Sequence, residues 1–138
     1  MKNNSATCLL IDDDEEEHEI FGVAVCNTFL PLNCFFFSHW RDALIYLKDQ
    51  NVDTPDFLFL DWHMAGCESM DYINALKEVP RLSTTQFVIY SGYISQQVIS
   101  ISNDSHFKYL KKAHSLSDTT NSIRSLVLAE SSRLSVFK

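Results

Sequence analysis

The chain alternates between short, unbroken apolar segments and longer stretches whose apolar residues recur at helical spacing. The apolar segments are TCLLI (7–11), CFFF (34–37), FLFL (57–60), FVIY (87–90) and KYLK (108–111). The first four are almost continuously apolar, the pattern of parallel strands covered on both faces. The stretches between and after them predict helices over 15–29, 40–48, 70–76, 96–101 and 115–132. The first of these opens on acidic residues, which suit the positive end of a helix dipole. The second carries Ala43, Leu44 and Leu47 on one side, with Ser38 in capping position. The third offers Ile73 and Leu76. The last begins with SLSD, a run like a capping box in which Asp118 stands for the usual glutamate.

Strand then helix, five times over, predicts an α/β domain: a doubly wound, five-stranded parallel sheet with helices on both faces and right-handed crossovers. No repeat, low-complexity run or linker divides it. Residues 1–138 therefore read as one domain, with 1–6 expected to be flexible and 133–138 a frayed tail. The phenylalanines at 35–37 read as core.

Composition narrows the function. With 138 residues, 46% hydrophobic and 21% charged, the chain suits a soluble domain with a real core. Its net charge of −7 argues against nucleic acid as a partner, because phosphate contacts need a basic surface. The N-terminal apolar run is too short for a signal peptide, and no run approaches membrane-spanning length, so no membrane partner is expected. Cys8, Cys26, Cys34 and Cys67 lack metal-type pairing. Three lie in apolar runs and read as small core residues, which fits a reducing, cytoplasmic setting.

In such a sheet ligands bind beyond the carboxyl ends of the strands. Asp12, Asp13 and Asp14 follow the first strand, Asp61 the third, Ser91 and Gly92 the fourth, and Lys111 and Lys112 the fifth. Clustered carboxylates repel one another unless a cation offsets them, and hard oxygen ligands with room for water suit Mg²⁺. A metal ion, an ammonium and a hydroxyl around one carboxylate form a pocket for a tetrahedral dianion. Phosphoryl transfer is the leading chemistry. Asp14 to Glu17 read as an acidic, solvated first turn.

The segments LLIDDDEEE, FLFLDWHMAG, VIYSGY and YLKKA, in that order, resemble the receiver domain of bacterial two-component response regulators over essentially the whole chain. The resemblance implies a flavodoxin-like (βα)5 fold. It implies Asp61 as phosphoacceptor, with Asp12, Asp13, Asp61 and the backbone carbonyl of His63 holding Mg²⁺. It also implies Lys112 and Ser91 as the groups that hold phosphoryl oxygens, and Ser91 with Tyr109 as the switch pair. Trp62 and Tyr93 are placed on the rim. The implied phosphodonor is a histidine kinase or histidine phosphotransfer protein. A stand-alone receiver, with no output domain, would act on a downstream protein through contacts rather than as an enzyme.

The chain departs from that family in its loops. Ala65 stands where proline is usual after the Asp-x-x-Met unit, Ser69 where a glycine is usual, and Ala113 where a proline, often cis, follows the lysine. A cis bond to alanine costs several kcal/mol more than one to proline, so the Lys112–Ala113 bond is expected to be trans with a rearranged loop, or strained. Two other readings stay open. A haloacid-dehalogenase-like phosphatase or phosphotransferase also uses an aspartate after a strand, but looks for a second aspartate where His63 stands. A receiver-like scaffold that is never phosphorylated is the other. A nucleotide-binding module fails for want of a glycine-rich turn after the first strand.

Overall fold

The structure, a computed structural model, describes residues 5–62 and 69–130. Its strands are β1 (Ala6–Ile11), β2 (Leu32–Phe37), β3 (Phe57–Asp61), β4 (Gln86–Ser91) and β5 (Phe107–Lys111). Its helices are α1 (Glu15–Asn27), α2 (Trp40–Lys48), α3 (Ser69–Lys77), α4 (Gln96–Ile101) and α5 (Leu116–Ala129), with a 3-10 turn at Pro80–Thr84 before β4. The five strands form one parallel sheet in the order β2-β1-β3-β4-β5. The doubly wound α/β fold expected from the pattern is the fold observed.

Alternation along the central strands sorts the core into two layers. Leu58 and Leu60 of β3 face a cluster with Ala43 and Leu47 of α2, Tyr72, Ile73 and Leu76 of α3, and Val98 of α4. Phe57 and Phe59 face the opposite layer, formed by Phe21, Ala24 and Val25 of α1 with Ile123, Leu126 and Val127 of α5. Phe21 sits edge-on to both Phe59 and Tyr90, binding α1 to the sheet centre.

The sheet order corrects the reading of Phe35 to Phe37 as core. β2 is an edge strand, and Phe35 and Phe36 keep 43% and 37% of their surface exposed. A continuous apolar run cannot distinguish a central strand from an edge one. Of the cysteines, Cys8 is buried, Cys34 half-buried and Cys26 exposed on α1, so Cys26 is not a core residue; all three are free thiols, and Cys67 lies outside the described residues.

Local chemistry explains the helix ends. α1 stops at Asn27: Thr28 Oγ1 donates to Val25 O at 2.6 Å, and Phe29 takes a left-handed φ of 58° that no helix continues. α2 is preceded by His39, which makes no side-chain cap, so Ser38 does not cap it. α5 begins as SLSD suggests, with Ser115 Oγ accepting from Asp118 N at 3.0 Å, and ends at Ala129. The expected loose ends, 1–4 and 133–138, lie outside the described residues, while Ala6 already belongs to β1.

Candidate functional site

Parallel pairing delivers the carboxyl ends of β1, β3, β4 and β5 to one rim. Two backbone hydrogen bonds carry the ladder past the strands: Asp12 N donates to Phe37 O at 3.0 Å, and Lys112 N to Ser91 O at 2.8 Å. Asp12 and Lys112 therefore extend the sheet's geometry rather than hang on loops. Their side chains meet, with Lys112 Nζ 2.9 Å from Asp12 Oδ2 and 3.7 Å from Asp61 Oδ1.

Asp12 is almost completely buried. Its second oxygen accepts from Asp14 N at 3.0 Å, and its carbonyl accepts from His18 Nε2 at 2.6 Å. Asp61 is buried at the end of β3, and the Tyr72 hydroxyl of α3 donates to its carbonyl. Ser91 is buried at the end of β4, where its Oγ accepts from Tyr93 N at 3.4 Å. Beneath the ammonium lies the Tyr90 ring, its centroid 5.3 Å from Lys112 Nζ.

Ligand atoms of Asp12, Asp13 and Asp61 all lie within 4.8 Å of one another, a set of hard oxygens on which a divalent cation could sit. His63, whose carbonyl was expected to complete that set, lies outside the described residues, as does Ala65. Burial alone would depress the Lys112 pKa. The hydrogen bond to Asp12 and the charges of Asp61, Asp12 and Glu17 outweigh it, so the ammonium is held above its ordinary value. Among the described residues no peptide bond is cis, so Lys112–Ala113 is trans.

Of the remaining expected residues, Tyr109 on β5 is 44% exposed and Tyr93 lies open to solvent beyond β4. Trp62 is not on the rim: it is buried in the layer with Tyr72 and Leu76. Glu17 is a further correction. Glu15, Glu16 and Glu19 are exposed, but Glu17 turns inward, its Oε2 3.9 Å from Lys112 Nζ. Burial, then the neighbouring Asp12, Asp14 and Asp61, raise its pKa against the pull of Lys112. The signal was in the spacing, since Glu17 precedes the buried Phe21 by one helical turn and shares its face. Tyr72 was missed as well, and its hydroxyl had no sequence signature.

By sequence, no family model and no curated protein matches the chain. By structure the likeness is close. The phosphorylated cyanobacterial phytochrome response regulator RcpA superimposes with a TM-score of 0.75 at 21% identity, over 89% of this chain and 91% of that one. The fold is that of response-regulator receiver domains. The Mn²⁺-bound response regulator Rcp1 matches at TM-score 0.73 and 16% identity, over 88% of this chain and 91% of its own. A receiver domain from Rhodospirillum rubrum matches at TM-score 0.73 and 20% identity, over 92% and 94%. On this receiver fold, Asp61 and Ser91 end the adjacent strands β3 and β4, and Lys112 directly follows the end of the next strand, β5. Among the described residues, no helix is long and apolar enough to cross a membrane.

Proposed function

We propose that this protein is a phosphorylation-controlled signalling switch in which Asp61 accepts a phosphoryl group from a histidine kinase or histidine phosphotransfer protein. The observation that carries this reading is the bridging of Asp12 and Asp61 by Lys112 at the converging strand ends. An ammonium at that place serves a group that gains negative charge on Asp61. An Asp61 carboxylate oxygen attacks phosphorus, the O–P bond forms, and the N–P bond of the phosphohistidine breaks with its electron pair leaving on the imidazole. Lys112 turns from the carboxylates to a phosphoryl oxygen, and the Ser91 hydroxyl donates to another.

Asp12, Asp13 and Asp61, with the His63 carbonyl, would hold Mg²⁺, which offsets charge between the acceptor and the incoming oxygens. The three carboxylates fit such an ion, and the neighbour Rcp1 is described with Mn²⁺ bound. Ser91 and Tyr109 form the switch pair: Ser91 shifts toward the phosphoryl group, Tyr109 follows, and the surface around β5 changes for a downstream protein. The haloacid-dehalogenase-like alternative gains nothing from the fold, and the scaffold alternative leaves the buried Asp12 carboxylate and its half-buried partner Lys112 without a purpose. The test is to incubate the protein with acetyl phosphate and Mg²⁺ and map the added mass by mass spectrometry. A phosphoryl group on Asp61 supports the reading; addition elsewhere, or none, rejects it.

A further inference from the structure

Glu17 adds a fourth carboxylate beside the cluster of Asp12, Asp13 and Asp61, and with Asp12 and Asp61 it faces Lys112. Its side chain is 24% exposed, and it forms one wall of a groove of ≈ 540 Å³ that runs between α1 and the start of α5, past Ile20, Val23, Ala113 and Leu116. Ionised, these groups carry a surplus of negative charge that the two charges of a divalent cation reduce but do not cancel. An aspartyl phosphate restores part of the surplus, since it carries roughly −1.5 to −2 in place of the carboxylate's single charge.

We propose that Glu17 selects phosphodonors by charge, strengthening the hold on a divalent cation while opposing donors that bring only negative charge. Once Lys112 binds a phosphoryl oxygen, that oxygen lies near the Glu17 carboxylate, because both share the ammonium as neighbour. Two like charges at that range repel appreciably even at the high effective dielectric of a half-exposed site. A donor whose leaving nitrogen carries a proton, as in phosphohistidine or phosphoramidate, brings a compensating positive charge to the same place. A purely anionic donor such as acetyl phosphate brings none. Glu17 acts through the field and takes no part in the bonds: the Asp61 O–P bond forms, and the donor's O–P bond (acetyl phosphate) or N–P bond (phosphoramidate) breaks, acetate or ammonia leaving with the electron pair.

This inference rests on the reading of Asp61 as acceptor, and the experiment separates the two. Uptake from acetyl phosphate and from phosphoramidate is compared in the wild type, Glu17→Gln and Glu17→Asp, and Mg²⁺ affinity is titrated by tryptophan fluorescence in each. Glu17→Gln should raise uptake from acetyl phosphate relative to phosphoramidate by about 3- to 10-fold and weaken Mg²⁺ binding about 2- to 5-fold. Added salt should shrink both effects. Glu17→Asp, which keeps the charge, should stay near the wild type. If Glu17→Gln leaves either the donor ratio or the Mg²⁺ affinity unchanged, the inference is overturned. A wild type that takes up no phosphoryl group would remove the acceptor reading, while an unchanged Mg²⁺ affinity would still overturn the role of Glu17.

Discussion

Lys112 and Asp12 stand 100 positions apart in the chain, yet their side chains meet at 2.9 Å, and Asp12 has almost no solvent exposure. Both backbones extend strand ladders, so the meeting is fixed by sheet geometry. A carboxylate so placed needs its partner, because an unpaired buried charge is costly.

Lys112→Met should therefore destabilise the protein by about 1–3 kcal/mol near neutral pH. The raised Lys112 pKa means that this contribution is complete below about pH 10.4, the ordinary lysine value, and is lost as pH rises through the raised native value. Saturating Mg²⁺ should narrow the gap between variant and wild type, since the cation takes over part of the compensation. Urea unfolding with and without Mg²⁺ checks both. A gap that widens on adding Mg²⁺ would contradict the shared site.

Glu17 works in the opposite sense in the metal-free protein. Its raised pKa means the native state holds the proton more tightly than the unfolded chain does, so stability falls as pH rises from about 4.3 through the native value. With chelator present, Glu17→Gln should be the more stable protein at pH 7, by less than about 1 kcal/mol given its partial exposure. The advantage should vanish below about pH 4, where glutamate is protonated in both states. Thermal melts across that range decide it.

Tyr90 tests the floor beneath the ammonium. Burial, then the Glu17 carboxylate, push its pKa well up, so the folded protein keeps a phenolic proton that the unfolded chain releases near pH 10. Stability should decline above that pH in the wild type, and Tyr90→Phe should flatten the decline. Parallel pH profiles for the two proteins would show that the phenol does not titrate as described.

Switching is checked at a distance. Phosphorylation should shift amide resonances around Tyr109 as well as those beside Asp61, and in Ser91→Ala the Tyr109 shifts should disappear. Loss of one hydroxyl donor should also slow uptake about 5- to 10-fold. Shifts near Tyr109 that persist in Ser91→Ala would remove Ser91 from the switch.

Much of this was legible in the sequence because the physics was local. Continuous apolar runs marked the strands, and the rule that a parallel sheet presents its carboxyl ends together placed Asp12, Asp61, Ser91 and Lys112 on one rim before any coordinates. What escaped depended on the third dimension. Phe35 and Phe36 are exposed because β2 lies at the edge, and strand order is not written in apolarity. Trp62 is buried because the chain turns it under α3 after β3 ends, beside Tyr72. Glu17 looked like one more acid in a solvated turn, since charge type outweighed its helical spacing from Phe21. Arg81, in the 3-10 turn, donates to the carbonyls of Asp49 and Val52, and nothing in its neighbours announced that.

Asp61 is the group on which the proposed phosphoryl uptake depends. Asparagine matches its shape and leaves the Tyr72 bond to the backbone carbonyl in place, so Asp61→Asn should fold as the wild type does. Wild type and variant, each given acetyl phosphate and Mg²⁺, are compared by intact-protein mass. One phosphoryl group should add to the wild type and none to Asp61→Asn; equal addition to both would remove Asp61 as the acceptor.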